Sequence, residues 1–229
     1  MIVLDYLYGN PTFMANFIYA GQHAAAGEVL AFPAHLGQSW NNGLSGGDPK
    51  VDLDFLTDVI ADATNNLPVD SSNISMTGFS EGGFMADLFA CTKPNLLIGF
   101  GMVSATQLQT TFCETGTRLK MMIIDGTQDN EVPYNGIGTL QPATLTLSQW
   151  ETIDRCSGSE VATTLPPMVN DGTTVVKHQI PGCPALLYQI VGGGHAWPGS
   201  QVTLSTILFG TTSQNLDATT TQWRFFTSP

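Results

Sequence analysis

Apolar residues in this chain gather in short unbroken runs: Ile2–Leu7, Val29–Phe32, Ile74–Thr77, Ile98–Val103, Leu119–Ile124 and Ala185–Val191. Strands buried on both faces have this texture, because side chains on either side of the pleat meet core rather than water. Between the second and third runs, Leu53, Leu56, Ile60 and Ala63 recur at helical spacing. Asp48 is placed to cap that helix and Pro49 suits its first turn. Buried runs alternating with amphipathic stretches predict an α/β fold with a mostly parallel central sheet flanked by helices.

Three further helices follow from punctuation. One starts after Ser80 and must stop near Lys93, since Pro94 cannot continue it. Leu147, Trp150 and Ile153 mark a second, stopped by Gly158. Asp217 caps a last one that carries Trp223 and Phe226. Val161–Leu165 and Val175–Ile180 read as an added hairpin turning at Asn170-Asp171-Gly172. No internal repeat, linker or low-complexity tract interrupts the pattern, so residues 1–229 read as one catalytic-sized domain.

Composition narrows the class of partner. Apolar residues make up 42% and charged residues only 11%, which suits a folded chain with a neutral polar surface. Seven Lys and Arg stand against 19 Asp and Glu, a formal net charge of −12. Nucleic acid and anionic membrane surfaces, which need clustered cations, are disfavoured as partners. No apolar run approaches the roughly 18 residues of a membrane span. The opening MIVLDYLYGN lacks a basic leader and a cleavage site, and reads as a strand entered at once.

Cys91, Cys113, Cys156 and Cys183 form no CxxC pair and have no His at metal-ligand spacing, so no metal and no cofactor is expected. Three disulfide connectivities are open. Sequential pairing, Cys91–Cys113 and Cys156–Cys183, closes two short loops and is preferred; bridges of this kind imply an oxidising, extracellular compartment.

Candidate chemistry begins where the run Ile74–Thr77 meets Gly78-Phe79-Ser80-Glu81-Gly82-Gly83. Gly-x-Ser-x-Gly between a buried strand and a helix makes a nucleophile elbow, a sharp turn that projects the serine hydroxyl above the sheet. The turn presses backbone against backbone and leaves no room for a Cβ. The helix start also directs free N–H groups at a developing oxyanion. Such a serine needs a base, and the base needs an acid to hold its tautomer. Only His178 and His195 follow Ser80. His178 sits within a strand-like run. His195 follows Ala185–Val191 through Gly192-Gly193-Gly194, at the strand end where active groups of open α/β sheets gather. For the acid, Leu119–Ile124 leads into Asp125 and Asp129. Asp129 lies further into the loop and is freer to reach across, but spacing leaves both open.

Gly78-Phe79-Ser80-Glu81-Gly82-Gly83-Phe84-Met85-Ala86, the stretch Gly126–Gly136 and Gly192-Gly193-Gly194-His195-Ala196-Trp197-Pro198-Gly199 resemble the secreted polyhydroxybutyrate depolymerase-like esterases of the α/β-hydrolase fold, a group that also holds feruloyl and acetylxylan esterases. Ser39–Gly43 is similar to that family's cleft loop and Asn215–Phe226 to its closing helix. The resemblance implies Ser80, Asp129 and His195 as a catalytic triad, supports the sequential disulfides, and implies a short-chain or polyester substrate, with feruloyl or acetylxylan esters as the second reading. Trp40, Trp197 and Tyr134 become candidates for an apolar substrate cleft.

Three departures stand out. Tyr8-Gly9-Asn10-Pro11 occupies the place of the family's His-Gly, so the oxyanion donors are assigned to the N–H groups of Asn10 and Glu81, Pro11 having none. Glu81 puts a carboxylate beside the nucleophile. The usual N-terminal antiparallel strands are missing, which predicts a shorter sheet whose exposed edge could pair with a second copy of the chain. A catalytically inactive binding protein on the same fold is the competing class. A peptidase fits less well, because no propeller or large lid segment is present.

Overall fold

The computed structural model describes residues 1–25, 27–44, 47–113, 118–202 and 204–228. The apolar runs form β1 (Ile2–Leu4), β2 (Ser75–Phe79), β3 (Gly99–Val103), β4 (Lys120–Gly126), β5 (Val161–Thr164), β6 (Thr174–Gln179) and β7 (Ala185–Val191). These make one sheet in the order β1-β2-β3-β4-β7-β6-β5. β1, β2, β3, β4 and β7 are parallel; β6 returns antiparallel to β7, and β5 antiparallel to β6. The helices are α1 (Pro11–Phe17), α2 (Ala20–Ala25), α3 (Pro49–Asn66), α4 (Glu81–Thr92), α5 (Ala143–Ile153), α6 (Thr206–Phe209) and α7 (Ala218–Thr227).

The period of two along each strand divides the core. Met121 and Ile123 of β4 pack with Leu56 of α3, Phe89 of α4 and Trp150 of α5. Met122 and Ile124 face the opposite layer, with Phe17 of α1 and Phe226 of α7. Two buried faces explain why the strands read as unbroken apolar runs. The caps lie where the sequence places them. Asp48 accepts from the Lys50 N–H at 3.0 Å and Asp217 from the Thr220 N–H at 2.9 Å. Both sequential disulfides, Cys91–Cys113 and Cys156–Cys183, are formed.

Several elements differ from the sequence reading. Val29–Phe32 is not a strand; Pro33 cuts it short, and one bridge joins Ala31 to Ile2. Its hydrogen bonds, Val3 N–H to Ala31 O at 2.9 Å and Ala31 N–H to Met1 O at 3.1 Å, cover the β1 edge. The edge predicted to be open is therefore closed there by the chain itself. β1 stops at Leu4 because Asp5 turns to receive the Trp40 indole, and Asn10-Pro11 starts a helix that the reading missed. The β5–β6 connection spans residues 165–173 rather than turning tightly at 170–172. Asn215 Oδ1 holds that loop out by accepting from the Met168 and Val169 N–H groups at 2.7 and 2.9 Å.

Candidate active site

The carboxyl ends of β1, β2, β4 and β7 converge, and each delivers one part of the site. β2 passes into α4 through Ser80, whose φ of +54° and ψ of −120° lie outside the regions L-residues ordinarily occupy. Such a backbone costs on the order of 1–3 kcal/mol and persists only where its surroundings force it. Here they do. The Ser80 N–H donates to Val103 O at 3.0 Å, and its carbonyl receives the N–H groups of Gly83 and Phe84. A Cβ on Gly78 would lie 2.1 Å from the Gly82 carbonyl, and one on Gly82 would lie 2.4 Å from Asp5 O. Those contacts are the mechanical reason for the glycines.

β4 and β7 bring Asp129 and His195 together. Asp129 Oδ2 lies 2.7 Å from His195 Nδ1, and both residues are buried. Asp129 Oδ1 accepts from the Glu131 and Val132 N–H groups at 2.9 and 2.8 Å, which fixes the carboxylate against rotation. Asp125 is differently placed. It is buried at the end of β4, bonds its own loop through the Gly126 N–H at 2.9 Å, and leaves Oδ2 unpartnered. Burial first, and then the Asp129 charge, push its carboxyl well above the usual range. Asp125 makes no hydrogen bond to His195 and Asp129 does, so geometry separates the two aspartates where spacing could not. His178 is elsewhere, on β6, between Glu160 and Gln189.

Close backbone packing sets the His195 loop. A Cβ on Gly194 would meet Phe209 O at 2.0 Å, and the His195 N–H donates to that same carbonyl at 2.6 Å. Ser104, past the end of β3, accepts from the Ala196 N–H at 3.1 Å. The imidazole packs against the Phe79 ring at 4.9 Å between centroids. Ser104 and Phe209 were not singled out from sequence; Phe209 ends the short apolar run Ile207-Leu208-Phe209, which carries no catalytic motif.

Ser80 and His195 border a common cavity of about 440 Å³. No hydrogen bond joins the Ser80 hydroxyl to the imidazole in this structure; catalytic contacts of this type commonly tighten only when substrate is bound. The walls are mostly apolar, with Tyr6, Phe13, Phe17, Phe84, Val132 and Phe209 among them, and Glu81 and Glu131 also border it. Trp40, Trp197 and Tyr134 are not among them. Trp40 is wholly buried, its Nε1–H donating to Asp5 O and Oδ1 at 3.0 and 3.1 Å. Trp197 is also core, donating to Thr219 Oγ1 at 3.0 Å. Tyr134 is buried in the α3–α5 layer. Each is an aromatic that packs rather than one that lines the cleft.

Asn10 is likewise displaced. It is exposed and caps α1, accepting from the Phe13 N–H at 2.9 Å, and the chain bordering the cavity is Tyr6-Leu7 instead. The N–H groups of Tyr6, Leu7 and Glu81 find no acceptor among the described residues. Two donor-bearing segments thus face the cavity that Ser80 borders, an arrangement able to hold a negatively charged oxygen.

No protein-family model matches the sequence. Over 223 residues the chain is 27% identical to "Putative esterase NocK" of Nocardia uniformis subsp. tsuyamanensis, across 86% of this chain and 64% of that one. Over 188 residues it is 27% identical to feruloyl esterase B of Piromyces equi, across 74% of this chain and 34% of the other. The chain therefore spans just under two thirds of one of these relatives and about a third of the other. Among solved structures, the acetyl xylan esterase from Aspergillus awamori superposes with a TM-score of 0.62 at 17% identity, over 98% of this chain and 88% of that one. A thermostable esterase gives a TM-score of 0.53 at 12% identity, over 67% and 43% of the two chains.

Proposed function

Since this chain is an α/β-hydrolase by fold, we propose that it is a serine carboxylesterase with Ser80 as nucleophile, His195 as base and Asp129 as the acid that orients the base. The supporting observation is the 2.7 Å contact between Asp129 Oδ2 and His195 Nδ1 at the edge of a cavity that Ser80 also borders. That contact leaves Nε2 as the proton acceptor. In the first step His195 takes the hydroxyl proton and Ser80 Oγ bonds to the ester carbonyl carbon. The N–H groups of Glu81 and of the Tyr6-Leu7 stretch hold the resulting oxyanion. The imidazolium then protonates the departing alkoxide as the carbon–oxygen bond breaks. Water, deprotonated by the same imidazole, attacks the acyl-enzyme and releases the acid.

The apolar lining supports a short acyl chain or a polyester segment as the bound group. The names of the relatives favour a second reading, a feruloyl or acetyl ester of plant polysaccharide. Turnover of p-nitrophenyl butyrate, methyl ferulate and a polyhydroxybutyrate suspension separates these. The two disulfides support function in an oxidising, extracellular setting. For the mechanism, Ser80→Ala is expected to lower kcat by on the order of 10⁶ without loss of fold, and to abolish labelling by a fluorophosphonate. Wild-type-like turnover in that variant, or no labelling of the wild type, refutes the reading; the latter result would favour an inactive binding protein.

A further inference from the structure

We propose that the Ser80 cavity selects its substrate by charge, accepting neutral and cationic esters and excluding esters that carry a carboxylate, with Glu81 as the inner selector and Glu131 as the outer one. The inference rests on the serine esterase reading and names the substrate class of that site.

Glu81 follows the nucleophile directly, is only 8% exposed, and borders the cavity. A buried carboxylate is normally neutralised by a cation or by a proton. No cation does so here. The seven Lys and Arg are Lys50, Lys93, Arg118, Lys120, Arg155, Lys177 and Arg224, and none borders the cavity. Arg118 and Lys120 stand at the start of β4, the opposite end of the sheet from the site, and Lys93 follows the far end of α4.

The charge is held by neutral donors instead. Asn42 is buried and its Oδ1 accepts from the Leu44 N–H at 2.9 Å, which turns its Nδ2 toward Glu81. Nδ2 then donates both to the Glu81 carboxylate and, at 3.2 Å, to its carbonyl oxygen. Glu81 also lies in the first turn of the 12-residue helix α4, where the helix dipole favours negative charge. The Ser39–Gly43 loop, similar by sequence to a cleft loop, thus acts on the cavity through Asn42 rather than through Trp40.

Glu131 borders the same cavity from an exposed position, so its charge is screened more strongly by salt. The remaining walls reinforce the sign. Phe13, Phe17 and Phe84 also border the cavity, and the face of an aromatic ring attracts cations. The same field acts on the product. The acid formed in the second step ionises in a cavity bordered by Glu81 and Glu131 and is repelled by them, which opposes product inhibition.

The test uses butyrate esters of three alcohols of similar size: choline, 3,3-dimethylbutanol and 4-hydroxybutanoate. The cationic and neutral esters are expected to exceed the anionic one in kcat/KM at least tenfold, and Glu81→Gln should shrink the neutral-to-anionic ratio at least fivefold. A wild-type ratio below threefold, or one that persists in the Glu81→Gln/Glu131→Gln double variant, overturns the proposal. Should Glu81→Gln fail to fold, the wild type decides. Raising NaCl from about 0.05 to 0.5 M should speed only the anionic ester, and a flat response overturns the proposal. Failure to hydrolyse all three esters, with no fluorophosphonate labelling, instead removes the parent reading and this one with it.

Discussion

Asp87 lies within α4, seven residues after Ser80, and is completely buried. Its Oδ1 accepts from Trp150 Nε1 at 3.0 Å and Gln107 Nε2 at 3.3 Å, while Oδ2 has no partner. Burial outweighs those two hydrogen bonds and raises the carboxyl from an ordinary 3.8 to about 7. The folded chain therefore holds this proton more tightly than the unfolded chain does. Stability from the site is complete at low pH, below the unfolded value, and drains away as pH rises through the folded one. Integrating the difference between pH 5 and pH 8 gives a loss of roughly 2–3 kcal/mol. Asp87→Asn carries no proton to lose, and its amide oxygen can accept from the same Trp150 and Gln107 donors. The other buried acids, Asp5, Asp52, Glu81, Asp125, Asp129 and Asp154, are common to both proteins and cancel in the comparison. Equilibrium urea unfolding with the disulfides intact, at pH 5, 6, 7 and 8, should show the stability difference moving in favour of the variant by that amount. Parallel pH profiles for the two proteins would refute the reasoning, whatever the fixed cost of the substitution.

Asp129→Asn should keep the loop, since its oxygen can still accept from Glu131 and Val132, but present the wrong group to His195; kcat is expected to fall by about 10⁴ with little change in KM, read from steady-state ester hydrolysis. Trp40→Phe retains most of the buried ring and removes the donor to Asp5, so stability should drop by about 1–2 kcal/mol in urea unfolding while KM is unchanged. A raised KM with unchanged stability would instead return Trp40 to the cleft wall.

Much of the architecture was legible because local and global signals agree. β7 has the bounds of its apolar run, α3 starts at its Asp48-Pro49 signal, and α4 stops before Pro94. In the site, the elbow was legible for the same reason: glycines at Gly78 and Gly82 answer a contact that forbids a Cβ, and only a turn of that kind brings it about. The cleft aromatics were not legible. Composition says that Trp40, Trp197 and Tyr134 want burial, but burial in a core and burial in a cavity wall are the same preference. Which one is realised depends on the partner of the polar tip, and for Trp40 that partner, Asp5, is distant in sequence, as Thr219 is for Trp197.

The segment after β1, where an oxyanion donor was sought, shows how one local signal can be masked by another. Asn10-Pro11 is a helix start of the same kind as Asp48-Pro49, with a side chain that accepts from the first turn and a proline that needs no donor there. Read as a helix start, it ends the loop after β1 at Gly9 and leaves residues 5–9 to border the site. Backbone bonds then narrow the choice. The N–H groups of Tyr8 and Gly9 are taken by Gln38 O and Tyr6 O, at 2.8 and 2.7 Å. The N–H groups of Tyr6 and Leu7 remain free in a stretch that borders the cavity, which supports an oxyanion donor three or four residues before Asn10. Asn10 is set aside by its place rather than by its cap, which uses only the side-chain oxygen: the residue is exposed and its backbone does not border the cavity.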